Sequence, residues 1–233
     1  MSRYAISIYR LLLRGPHYAF EWIKRIYSLL RRLILGDAQP IKKHAEWLRG
    51  RRVALVGNAQ SLLDTVFGSQ IDSMDFVVRM NHGVILKPIS QGSRTDILAM
   101  SCRMSEPDLL RQFDPKVIFW MTPRWWHIAP YSRQVMQRVS FFSHRDWKQL
   151  SRERLDGRRP STGFMTAQLL LQLGAREVHL FGFDFGRTPT FYNAPDYKTP
   201  HDYAAEARQL RAQTAAGALT IHFPKLLIDG GQT

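Results

Sequence analysis

The sequence predicts an α/β fold: a mostly parallel sheet flanked by helices and preceded by a basic helical segment. Three observations predict it. Beyond Arg51, short apolar β-branched runs alternate with segments of helical periodicity. The runs are continuously hydrophobic, as strands covered on both faces must be. Turn and cap residues stand at several of the junctions, as at Gly57-Asn58 and Ser161-Thr162-Gly163.

The elements follow in chain order. In residues 1–49, Phe20, Ile23, Ile26, Tyr27, Leu30 and Leu33 recur at helical spacing, with Lys24, Arg25, Arg31 and Arg32 mostly between them. This basic amphipathic helix ends near Gly36, and a similar segment precedes it across Gly15-Pro16. Such helices lie in the interface of an anionic membrane or pack on the domain or a second subunit. Residues 50–233 form the second unit. Its strand candidates are Val53–Gly57, Phe76–Met80, Asp96–Met100, Lys116–Met121 and Glu177–Phe183, with a weaker one at Ala218–Phe223. Helical patterns cover Glu106–Gln112, Thr162–Leu173 and Pro200–Gln213.

Composition narrows the partner. Lys and Arg number 33 against 19 Asp and Glu, a net charge of +14. A polyanion is expected: nucleic acid, anionic lipid or a nucleotide-bearing substrate. No nucleic-acid-binding motif accompanies the charge, so nucleic acid is not expected. Cys102 is the single cysteine, which forbids an intramolecular disulfide and suits a reducing compartment. Arg3, Arg10 and Arg14 interrupt every candidate signal-peptide core, and no window has the roughly 18 uncharged apolar residues of a spanning helix. The expected location is cytoplasmic, peripheral at the inner face of the cytoplasmic membrane.

Three junctions carry chemistry. Gly57-Asn58 ends a strand on the side where open parallel sheets bind ligands. Glycine permits a tight turn or close ligand approach, and asparagine offers two donors and an acceptor. Neither the three-glycine dinucleotide fingerprint nor a P-loop is present. Ser161, Thr162 and Gly163 precede a helix, whose free amides either bind an anion or are simply capped. In "TPHDYAAE", Thr199 is placed to cap, Pro200 to open the helix, and His201 to lie in its first turn. The positive dipole end there keeps imidazole neutral, as a general base requires. Trp125, Trp126 and His127 form either a ligand wall or a hydrophobic cover; Arg94 and Arg124 are either anion ligands or surface charges. No D-x-D and no metal-ligand spacing of His or Cys occurs, so neither a metal nor a cofactor is expected.

Together these segments resemble glycosyltransferase family 29, the sialyltransferase superfamily. "RRVALVGNAQSLLDTVFGSQIDSMDFVVRMNHG…GSRTD" is similar to the family's long motif, "PSTGFMTAQLLLQLGAREVHLFGFDF" to its short motif, and "HDYAAE" to the H-x4-E motif. The resemblance spans roughly residues 50–210 and implies a Rossmann-like, GT-A-like fold. It implies a metal-independent, inverting transfer of an ulosonic acid from a CMP-sugar to a hydroxyl of a glycan or glycolipid acceptor, such as lipopolysaccharide. Gly57, Asn58, Asn81, Ser161, Thr162 and Gly163 would contact the donor and His201 would be the base. Glu206 lies roughly 140° around a regular helix from His201, so the two would not pair, and its role would be structural. The animal enzymes pair a cysteine in each of the two longer motifs; Val53 and, approximately, Ala175 stand there here. The third motif's histidine is missing from "FYNAPDY", which leaves Tyr192 as the nearest substitute. The missing cysteine pair and the basic N-terminal segment suggest a bacterial member. The donor is CMP-sialic acid or CMP-Kdo; an inactive nucleotide-binding protein or a nucleic-acid binder remains the alternative.

Overall fold

The structure is a computed structural model; it describes residues 39–124, 127–193 and 198–224, with Ile23 and Ile26. The predicted N-terminal helices therefore lie outside the described residues, apart from Ile23 and Ile26, which are helical and exposed. Trp125, Trp126 and Tyr197 lie outside them as well. No helix among the described residues is long and apolar enough to cross a membrane.

An eight-stranded sheet organises the chain. The strands are β1 (Gln39–Pro40), β2 (Arg52–Val56), β3 (Phe76–Met80), β4 (Ile97–Met100), β5 (Val117–Trp120), β6 (Val139–Phe141), β7 (Glu177–Phe181) and β8 (Thr220–His222). Their order is β1-β6-β5-β4-β3-β2-β7-β8, and all pairings are parallel. Strands after β2 add on one side through β6, whereas β7 and β8 add on the other. The chain thus reverses direction beside β2, where ligands bind in open α/β sheets.

The predicted central strands form where continuous apolar runs stood, because both faces are covered. Val53 and Leu55 of β2 face one core, with Val78, Phe164 and Leu170. Ala54 and Val56 face the other, with Val77, Ile71 and Phe181. Alpha helix α1 (Ala45–Leu48) precedes β2; α2 (Gly68–Asp72) and α3 (Pro88–Gln91) flank β3. Then come α4 (Glu106–Gln112), α5 (Arg133–Met136), α6 (His144–Leu155), α7 (Thr162–Gln172) and α8 (Tyr203–Ala215). Helix α7 is buried nearly all round, as its run of apolar residues demands.

Several details depart from the sequence reading. Strands β1 and β6 were not predicted: one is two residues long and the other three, too short for a periodic signal. Ile41, His44 and Leu48 are buried, and His44 Nε2 lies 2.9 Å from the Ser140 hydroxyl, so the sheet domain takes in residues assigned above to the N-terminal segment. Helix α6 was also not anticipated, although Ser143 caps it by accepting from the Asp146 amide. Helix α8 begins at Tyr203 rather than Pro200, because Asp202, not Thr199, is its cap and accepts from the Ala205 amide.

Candidate active site

A cavity of about 470 Å³ opens at the carboxyl ends of β2 and β7. Gly57, Asn58, Asn81, Ser161, Thr162, Gly163, Tyr192, His201 and Glu206 all line it. These nine residues, assigned above to the donor, the base and their support, are therefore brought to one place, although the roles of some differ from those expected.

Gly57 is required by its neighbour strand rather than by a ligand. A Cβ there would stand 2.3 Å from the Gly182 carbonyl oxygen, and the Gly57 amide donates to the Phe181 carbonyl at 2.6 Å. The glycine lets β2 and β7 close at the reversal point. Gly163 similarly makes room for the Phe183 ring, 2.8 Å from its missing Cβ.

Asn58 has little left to give a ligand as a donor. Its amide nitrogen donates to the Met80 carbonyl at 3.1 Å and to the Tyr192 hydroxyl at 3.4 Å. It fastens β2 to β3 and to the loop carrying Tyr192. Burial pushes the Tyr192 phenol up to about 12, so it stays neutral. Asn81 adopts a left-handed backbone, φ 52°, a conformation asparagine tolerates better than most residues. Its side chain accepts from the Ser101 amide at 2.8 Å and donates to the Thr162 hydroxyl at 3.3 Å. Asn81 thereby ties β3 to β4 and to the start of α7.

The start of α7 is where donors remain. Ser161 caps the helix by accepting from the Phe164 amide at 3.1 Å. The amides of Thr162 and Gly163, the first two of the helix, make no hydrogen bond among the described residues. Both residues line the cavity, and the positive end of the helix dipole lies at their amides, which suits an anion. Below Ser161 lies Glu206, 3% exposed. Its carboxylate accepts from the Ser161 amide at 2.7 Å and from the Ser161 hydroxyl at 2.6 Å. Burial pushes its pKa up to about 7 against those two hydrogen bonds. Glu206 thus joins α8 to the cap of α7, and does not pair with His201.

His201 lies just before the α8 cap, not inside the first turn as expected. Its Nδ1 is 3.0 Å from the Arg159 carbonyl. A carbonyl only accepts, so Nδ1 carries the proton and Nε2 is left with its lone pair. Its pKa is lowered, chiefly by burial, with the hydrogen bond to Arg159 opposing. Neutrality was expected; its cause is desolvation rather than the helix dipole.

Arg94 does not approach the cavity. It donates to the carbonyls of Asp72 and Met74 and pairs with Asp96 at 2.8 Å. Arg124 is exposed and does not line the cavity. The sequence reading passed over Asp184 and the loop after β7. Asp184 is buried and accepts from the Ser61 hydroxyl, the Gly186 amide, and the Thr188 amide and hydroxyl. An acid in the run "GFDFGR" was the available signal, since an acid directly after a buried strand needs partners. Among the described residues no group of three or more metal-ligand side chains converges.

The known proteins that this chain resembles are sialyltransferases. A model of glycosyltransferase family 29 (sialyltransferase) matches residues 8–113. The mouse CMP-N-acetylneuraminate-beta-galactosamide-alpha-2,3-sialyltransferase 1 is 37% identical over 68 residues, covering 29% of this chain and 19% of that protein. A mammalian sialyltransferase in complex with Gal-beta-1-3GalNAc-ortho-nitrophenol superposes with a TM-score of 0.63 at 18% identity, covering 85% of this chain and 79% of that one. The monofunctional alpha-2,3-sialyltransferase Cst-I of Campylobacter jejuni gives 0.52 at 13% identity over 77% and 78% of the two chains. The sialyltransferase CST-II in complex with a trisaccharide acceptor and CMP gives 0.51 at 15% identity over 76% and 83%. These superpositions show a shared fold. Residues 8–113 match the model of glycosyltransferase family 29 (sialyltransferase), and the chain shares the fold of solved sialyltransferases.

Proposed function

We propose that this protein transfers an ulosonic acid, of the sialic acid type, from its CMP-activated form to a hydroxyl of a glycan acceptor, without a metal ion. The observation that carries this reading is the pairing, on one cavity, of the free Thr162 and Gly163 amides with a neutral His201 whose Nε2 is open. The sialyltransferase neighbours crystallised with CMP and with glycan acceptors support the substrate classes.

In the proposed reaction the acceptor oxygen attacks the anomeric carbon as its bond to the CMP phosphate breaks. CMP leaves with the electron pair, and His201 Nε2 takes the acceptor proton. Single displacement inverts the anomeric centre. The α7 amides meet the charge that develops on the departing phosphate. Glu206, about half protonated at pH 7, supports Ser161 without placing a full negative charge behind the anion.

The test is CMP release from a panel of CMP-activated ulosonic acids, sialic acid and Kdo among them, with and without EDTA. Turnover with one donor, unchanged by EDTA and reduced about 10²–10⁴-fold in His201→Ala, is expected. Full turnover in His201→Ala removes the base assignment, and loss in EDTA removes the metal-free one. No release from any donor would favour the inactive-protein alternative.

The acceptor is proposed to be membrane-associated, such as lipopolysaccharide, in a bacterial cytoplasm. The +14 charge and the basic amphipathic pattern of residues 1–36 support that setting.

A further inference from the structure

The leaving group of the proposed reaction is a phosphate monoester, and the α7 amides offer it only partial charges. Among the described residues that line the cavity, Arg187 alone bears a full positive charge at neutral pH, since His201 is held neutral by burial. Arg187 sits on the loop after β7, where Gly182, Phe185 and Gly186 take left-handed backbone at φ 69°, 59° and 82°. For Phe185 this conformation is costly, and the Asp184 clamp imposes it.

That clamp determines what Arg187 can do. One carboxylate accepts from the amides on both sides of Arg187, Gly186 at 3.1 Å and Thr188 at 3.0 Å. The Arg187 amide itself donates to the Asp184 carbonyl at 3.4 Å. The backbone at Arg187 is therefore held from three directions, while its side chain is exposed. No acid among the described residues neutralises it. Asp184 is filled by four donors, Glu206 is occupied by Ser161, and Asp202 pairs with Arg158 at 2.5 Å. Among the described residues the Arg187 guanidinium makes no hydrogen bond or ion pair.

We propose that Arg187 is the phosphate-binding residue of this site: its guanidinium grips the phosphate of the bound nucleotide opposite the α7 amides. An unpaired guanidinium on a fixed backbone suits the planar fork by which arginine holds phosphate. Tyr192, the nearest sequence substitute for the missing third-motif histidine, does not supply this charge, because it is neutral and its hydroxyl already accepts from Asn58. The assignment rests on the nucleotide reading given above, and the experiment separates the two.

Titration calorimetry on the full chain measures CMP and cytidine binding to wild type, Arg187→Gln and Arg187→Lys, at low and high salt. Arg187→Gln should weaken CMP by about 10–100-fold and cytidine by less than about 2-fold, with unchanged thermal melting. Arg187→Lys should recover part of the CMP affinity, and the loss should shrink at high salt. Equal CMP affinity in wild type and Arg187→Gln overturns the assignment and leaves the nucleotide site standing. Parallel loss of CMP and cytidine also overturns it, since a phosphate contact is absent from cytidine. Wild type that binds neither compound overturns the nucleotide reading and Arg187's role together.

Discussion

Glu206 shows how one residue links this site to pH. Its pKa rises from 4.5 to about 7 on folding, so the folded state holds a proton that the unfolded chain has already released. Between those values the unfolded chain binds fewer protons, and stability falls as pH rises. The loss is complete above pH 7 and is on the order of 3 kcal/mol. Glu206→Gln keeps an acceptor for the Ser161 amide and removes the titration. Its urea midpoint, compared with wild type at pH 5 and pH 7.5, should lack this component; an unaltered difference between the two pH values would contradict it. His201 works in the other direction, on rate. Its pKa lies below 6.5, so activity should hold at neutral pH and fall only as pH drops beneath the ordinary imidazole range. At this scale much was legible. Asn58, Ser161 and His201 stood out because polar residues at strand ends and helix starts are local signals, whereas Asn81 came only with the family resemblance. The partners that use up their hydrogen bonds were not legible, because Met80, Ser101 and Arg159 are distant in sequence.

At the scale of elements, the site depends on how closely β2 and β7 approach. The short central strands were legible as apolar runs, and α4 and α7 had nearly the bounds their patterns suggested. What a sequence does not display is the contact between Gly57 and Gly182, which couples residues over 100 positions apart. The Gly57 signal was visible, but its meaning needed β7. Gly57→Ala should cost about 3 kcal/mol, the upper end for overpacking, and abolish nucleotide binding, because the obstruction is a backbone carbonyl that has no rotamer to adopt. Chemical denaturation measures this; wild-type stability in Gly57→Ala would show that the strands have room to separate. The same reasoning explains the α8 boundary. Thr199 and Pro200 offered a plausible start, yet Asp202 wins because it both caps the helix and pairs with Arg158.

For the molecule as a whole, the all-parallel sheet assembles a cavity from residues spread between Gly57 and Glu206. Parallel connections leave every loop after a strand on one edge, and the reversal beside β2 opens a crevice there. The edge strand β1 and its neighbour β6 escaped the sequence reading because short strands are specified by the sheet that receives them. The charge of the chain belongs to this scale too, and it gives the membrane proposal its test. Removing residues 1–36 should abolish flotation with anionic liposomes while the truncated chain stays folded; flotation that persists, or truncation that aggregates, would contradict it.

The central claim is that the β2 turn, the start of α7 and the clamped loop after β7 form one nucleotide site. Hydrogen exchange with and without CMP tests it most directly. Slowed exchange at Ala59, at Thr162 and Gly163, and across residues 183–188, with the rest of the sheet unchanged, is the predicted result. Protection that falls elsewhere, or on only one of the three segments, would contradict the account.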